Sequence, residues 1–225
     1  MAETGGHGGP QRVPSWVMSA NEVIERLFLL VRIHLLWLAL TMLGLVVFGL
    51  APATAAAADA LLSSRGGHRL RVAPVMWASY RRHLLRANVQ MLPLMAVQLG
   101  ALALLTIALS GEVTSGPAMA ALTIVAAVSL GWATASLAAI LASARLRRQD
   151  LVVTWRLALL MPGAMPLRSI VLLVTSALWA VVSVLIVPLA VLVGAAAALD
   201  LVIGLFARRI EDLLTQIDHA RSAQT

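Results

Sequence analysis

The chain has no cysteine and no lysine in its 225 residues. Without cysteine it has no disulfides and no thiolate metal sites. Without lysine all 17 basic side chains are arginine, which we read as the composition bias of a high-GC genome rather than chemistry. Charge is scarce as well. Only 12% of residues are charged, where a soluble domain carries about 25%. Catalytic signatures are missing too: no GxSxG, HExxH, Walker A or glycine-rich nucleotide loop occurs. The one glycine-rich run, GGHGG, lies in a polar tail with no strand before it.

Apolar residues fill the space that charge leaves. They make up 60% of the chain, with a mean hydropathy of +0.91. They run in long blocks, several of which meet the ~20 residues that a bilayer core requires, so one membrane domain is expected at 15–209. The net charge of +7 would point to nucleic acid on a soluble protein. Here the arginines sit in short segments between apolar blocks, where they set topology, and no nucleic-acid partner is expected. Residues 1–14 are polar and glycine-rich, a tail expected to be disordered. The first apolar block contains Arg32 and His34, is too long for a signal-peptide core and lacks a cleavage site.

The expected fold class is all-α, a polytopic helical membrane bundle with spans at 23–50, 89–109, 117–142, 169–187 and 188–206. The first block exceeds one bilayer thickness, so it must tilt or break, with Gly44, Gly49 and Pro52 as break points. Pro52–Ser64, with Pro52 suited to a first helical turn, is either a re-entrant half-helix or, joined to Leu45–Leu50, a sixth crossing. Two amphipathic helices are expected at the interface. One follows Pro74, with Val75, Met76, Tyr80, Leu84 and Ala87 opposite Arg81, Arg82 and Arg86; the other is LVVTWRLALLMP, closed by Pro162-Gly163. A polar tail follows at 210–225. By the positive-inside rule both arginine-rich loops and the C-terminus are cytoplasmic. The N-terminus is outside with five crossings, or inside with six or with a re-entrant element.

Ionisable groups inside apolar blocks cost about 2.5–3.5 kcal/mol each, so Arg32, His34, Asp59 and Asp200 form the candidate intramembrane polar site. Asp200 either binds a cation or proton, pairs with Arg32 along a substrate path, or joins helices through a structural ion pair. Arg32 snorkels to an interface or pairs internally. His34 has no second ligand at i+3 or i+4, so no metal site is expected. Asp59 faces water or caps a packed interface. Arg81, Arg82, Arg86, Arg145, Arg147 and Arg148 are either anionic-lipid contacts or topogenic charge. No cofactor and no catalytic residue is expected.

The segment Ile24–Thr54 carries a resemblance. Leu35-Leu36-Trp37, Gly44 to Gly49, Pro52-Ala53-Thr54-Ala55, and Tyr80-Arg81-Arg82 through Arg86-Ala87-Asn88 resemble the opening of the YesL family (DUF624), across about residues 23–95. The family's motif residues would be Trp37, Gly44, Gly49, Pro52, Ala53, Thr54 and Asn88; the family's asparagine before Leu-Leu-Trp is His34 here. The resemblance implies a bacterial inner-membrane protein, found beside carbohydrate ABC uptake systems, with transporter subunits as partners. A non-enzymatic accessory of sugar uptake is therefore the leading expectation. A small transporter or channel using Asp200 and Arg32 is the alternative, and a lipid-processing enzyme a weaker one, since its carboxylates would be scattered. Oligomeric state is not encoded in any pattern here.

Overall fold

The computed structural model describes residues 15–65, 71–110 and 116–222. The expected disordered tail at 1–14 lies outside them. All regular structure among the described residues is helical: α1 (Ser15–Leu43), α2 (Val47–Ser64), α3 (Val72–Leu109), α4 (Pro117–Ala142), α5 (Ala144–Arg148), α6 (Leu151–Ala164), α7 (Pro166–Leu185) and α8 (Val187–Ser222). Five helices are long and apolar enough to cross a membrane: α2, α3, α4, α7 and the Val191–Gln216 part of α8. The protein is a polytopic helical membrane bundle.

The block expected as one span at 23–50 does not form one helix. The chain breaks at 44–46, beginning at the expected break point Gly44. Val47–Ser64 forms a helix long and apolar enough to cross a membrane, as in the alternative that joins Leu45–Leu50 to Pro52–Ser64. The break is a tight turn in which Leu45 and Val46 both have positive φ, 57° and 62°. The Val47 N–H donates to the Leu45 carbonyl at 2.7 Å, closing a γ-turn centred on Val46, a strained conformation for a β-branched residue. Gly44 and Gly49 allow the two helices to meet there. A Cβ on Gly44 would sit 2.2 Å from the Gly49 Cα, and one on Gly49 would sit 2.3 Å from the Thr41 carbonyl oxygen.

Helix α2 is the centre of the larger core. Ala51, Ala53, Ala55, Ala56, Ala57, Ala58 and Ala60 are all buried, and α1, α3, α4 and α8 all pack on it. Alanine favours helix, and its small side chain lets neighbouring helices approach closely. Pro52 does not start this helix, as the sequence suggested; it lies inside it. Its missing N–H leaves the Phe48 carbonyl without a helical partner. The Asn88 amide of α3 fills that place, donating to Phe48 O at 3.0 Å and to Leu84 O at 2.9 Å. The Trp37 indole of α1 donates to Thr54 Oγ1 at 3.1 Å, and Thr54 donates to Leu50 O.

The helix expected after Pro74 is not separate from the span at 89–109. Both belong to α3, whose 38 residues extend roughly 57 Å. Nothing between Arg86 and Val89 breaks the helix, and the apolar face formed by Met76, Tyr80 and Ala87 packs in the α2 core rather than lying against headgroups. A helix does form over the second expected segment, as α6, with Thr154, Ala158 and Met161 buried, and it runs through Pro162 to Ala164 rather than closing at Pro162-Gly163. Helices α7 and α8 make the expected hairpin with a break at Ile186, but α8 runs on without interruption through the segment expected as a separate tail.

The Gly44–Gly49 contact yields a prediction. Gly49→Ala, which forces a methyl group onto the Thr41 backbone, is expected to destabilise by about 1–3 kcal/mol. Val46→Gly, which relieves the positive φ, is expected to leave stability unchanged or raised. Thermal unfolding in detergent measures both; equal loss in the two variants would contradict the geometry.

Candidate functional site

The two carboxylates inside apolar helices lie in two separate clusters, and both clusters involve the C-terminal half of α2. In the first, Asp59 of α2 receives the Ser79 hydroxyl of α3 on Oδ2 at 2.5 Å and the Arg147 guanidinium of α5 on Oδ1. Arg147 also donates to the carbonyls of Ile140 at 3.1 Å and Leu141 at 2.5 Å. These belong to the last turn of α4, which an arginine can cap. The Gln90 amide of α3 reaches the Arg147 carbonyl at 3.3 Å. The Arg147 side chain is only 5% exposed, so it cannot serve the lipid contact expected of it; it is consumed by Asp59 and the end of α4.

In the second cluster, Asp200 of α8 holds two arginines on one oxygen. Arg26 of α1 donates to Oδ1 at 2.5 Å, and Arg65 at the end of α2 donates to the same atom at 2.8 Å and to the Asp200 carbonyl at 2.8 Å. Gly204, one turn further along α8, faces the Arg65 guanidinium: a Cβ there would lie 3.4 Å from it, an ordinary contact. Beside this cluster opens a cleft of about 1390 Å³ bounded by α1, α2, α4, α5 and α8. Its charged lining is Glu22, Arg26, Arg65, Arg208, Glu211 and Asp212, three of each sign. Ser143 fixes one wall, donating to Glu211 Oε1 at 2.7 Å and accepting from the Leu146 N–H at 3.2 Å.

The other expected residues lie elsewhere. Arg32 is exposed on α1 and does not meet Asp200, whose partners are Arg26 and Arg65. His34 is buried, stacked on Trp37 with ring centroids 5.6 Å apart, and its Nδ1 has no hydrogen-bond partner among the described residues. Of the arginines expected to meet lipid, Arg81 is exposed and lies 5.8 Å from the Trp77 ring. Arg82, Arg145 and Arg148 are exposed, and Arg86 is half-buried and donates to the Gln149 carbonyl. Sequence reasoning missed Arg26, Arg65 and Ser79. Both arginines stand at the edges of apolar blocks, where charge reads as topogenic. The available signal was the demand each intramembrane carboxylate makes for a partner.

Chemically, the site joins opposite charges across helices and presents donors and acceptors to a solvent-sized cleft. No three His, Cys, Asp or Glu side chains among the described residues are grouped so as to hold a metal ion. Breaking a buried pair strands its partner and costs about 3–5 kcal/mol, whereas exposed pairs contribute about 0–1 kcal/mol. Arg147→Met is therefore expected to lower the unfolding midpoint far more than Arg65→Met, whose side chain is 33% exposed. Equal effects in a denaturant titration would count against the burial difference as the controlling factor.

Among known proteins, a family matches part of the chain. The family described as "Protein of unknown function, DUF624" matches residues 30–104, a third of the chain. No curated protein and no solved structure matches. The matched segment runs from α1 through α2 into α3. It contains Trp37, Gly44, Gly49, Pro52, Thr54, Tyr80 and Asn88, the residues that lock those three helices together. It also contains Asp59, Arg65 and Ser79, while Arg26, Arg147 and Asp200 lie outside it. Over this three-helix segment, residues 30–104, the chain is similar to the DUF624 family.

Proposed function

We propose that this membrane protein is a non-enzymatic accessory that assists or regulates a carbohydrate uptake system, and that the mixed-charge cleft is where it engages a polar ligand or partner. The observation that carries the reading is the Arg26–Asp200–Arg65 bridge on the edge of that cleft. Asp200 is neutralised by arginines from two other helices, an arrangement suited to holding a cleft in shape rather than to moving protons between an acid and a base. A lining with three side chains of each charge sign offers both donors and acceptors, which suits a polyhydroxylated solute or a polar protein surface. The link to sugar uptake comes from the family resemblance. Deleting the gene is expected to reduce uptake of at least one labelled oligosaccharide. Wild type should restore it, and Asp200→Asn, which weakens both arginine contacts, should restore it only partly. Unchanged uptake and growth on every oligosaccharide tested would sink this role.

A second reading is favoured by the position of Asp200 within the span-length stretch Val191–Gln216: a small transporter whose substrate displaces one of the two arginines. Ionisable residues in membrane helices commonly mark such pathways. This reading expects solute flux in proteoliposomes that Asp200→Asn abolishes; no flux, or a wild-type rate in the variant, would exclude it.

A further inference from the structure

A separate cleft of about 530 Å³ opens between α1 and the first turn of α3. Its walls are apolar, formed by Leu35, Leu36, Val72 and Pro74 among others, and its two charged residues are Arg32 and Arg71. Both arginines are exposed, and neither side chain makes a hydrogen bond or ion pair with any other described residue. This sets them apart from the carboxylates Asp59 and Asp200, which are both matched. Arg32 stands on an apolar strip of α1, with Phe28 62% exposed one turn before it and Leu35 53% exposed one turn after it. A guanidinium set in such a surface requires a counter-charge, and two guanidinia lining one cleft increase that demand.

We propose that this cleft binds the phosphate of an anionic phospholipid. Arg32 and Arg71 donate to the phosphate oxygens, and the lipid's glycerol and proximal chain cover Leu35, Leu36 and Val72. Guanidinium forks match phosphate geometry, and basic pockets between membrane helices are an established way of holding lipid headgroups. The apolar walls favour a lipid over free phosphate, which would lose hydration against them without compensating contact. The proposal is independent of the uptake reading, and the site is distinct from Arg81, which lies against the Trp77 ring.

Native mass spectrometry of the full chain, extracted from phosphatidylcholine vesicles doped with phosphatidylglycerol, tests it. Wild type is expected to retain phosphatidylglycerol, and Arg32→Gln and Arg71→Gln to lower that retention about tenfold each, the effect of losing one charge-assisted contact. Arg32→Lys should fall between them, and Arg81→Gln should match wild type. Circular dichroism melts identify any variant that is misfolded; Arg71, at a helix end, gives the test independently of Arg32. Equal losses in all three glutamine variants would mean diffuse charge attraction and overturn the site. Displacement of the lipid by inorganic phosphate at equal affinity would assign the cleft to free phosphate and overturn the lipid.

Discussion

One backbone carbonyl organises the centre of this protein. Pro52 removes the N–H that would bond Phe48 O, and in an apolar bundle an unpaired carbonyl is costly. Asn88 of α3 supplies the replacement donor at 3.0 Å. That single bond fixes where α3 meets α2 along their lengths. It is reinforced by the Trp37–Thr54 bond between α1 and α2 and by the Gly44–Gly49 contact beneath the Tyr80 hydroxyl. The alanines of α2 then allow the neighbouring helices to close around it.

With α2 so positioned, its C-terminal half becomes a charge hub. Asp59 reaches Ser79 and Arg147, while Arg65 reaches Asp200, which also holds Arg26. Ion pairs thus tie α5 and α8 to α2, a hydroxyl hydrogen bond ties α3 to it, and Arg26 ties α1 to α8. The charged cleft forms where α1, α2 and α8 converge with the α4–α5 junction. The family match covers the three helices that carry the joint but not the partners Arg26, Arg147 and Asp200.

Much of the architecture is legible in the sequence because it follows from hydropathy and helix breakers. Pro117–Ala142 forms over its expected residues, and the hairpin at Ile186 forms where two apolar blocks abut. The merger of the basic helix with the following span was not legible. Hydropathy changes abruptly near Asn88, yet a helix ends only where backbone hydrogen bonding ends, and α3 runs unbroken from Val72 to Leu109. The role of Pro52 was misread for a related reason: a proline inside a membrane helix is acceptable only when a distant side chain repairs the ladder, and that side chain lies 36 positions away. The ion-pair partners were hidden because local pattern cannot distinguish an arginine that anchors topology from one that crosses to another helix. Arg147 makes the point, buried in the same run of sequence as exposed Arg148.

The most direct test is a double-mutant cycle between Pro52 and Asn88, read by unfolding free energy in detergent. Asn88→Ala in the native background leaves the Phe48 carbonyl unpaired and should cost about 1–3 kcal/mol. Pro52→Ala restores the N–H that this carbonyl lacks, so the same Asn88→Ala change should then cost substantially less, a coupling of at least ~0.5 kcal/mol. Equal costs in the two backgrounds would contradict the account, because Asn88 would then be serving some group other than the carbonyl that Pro52 leaves free.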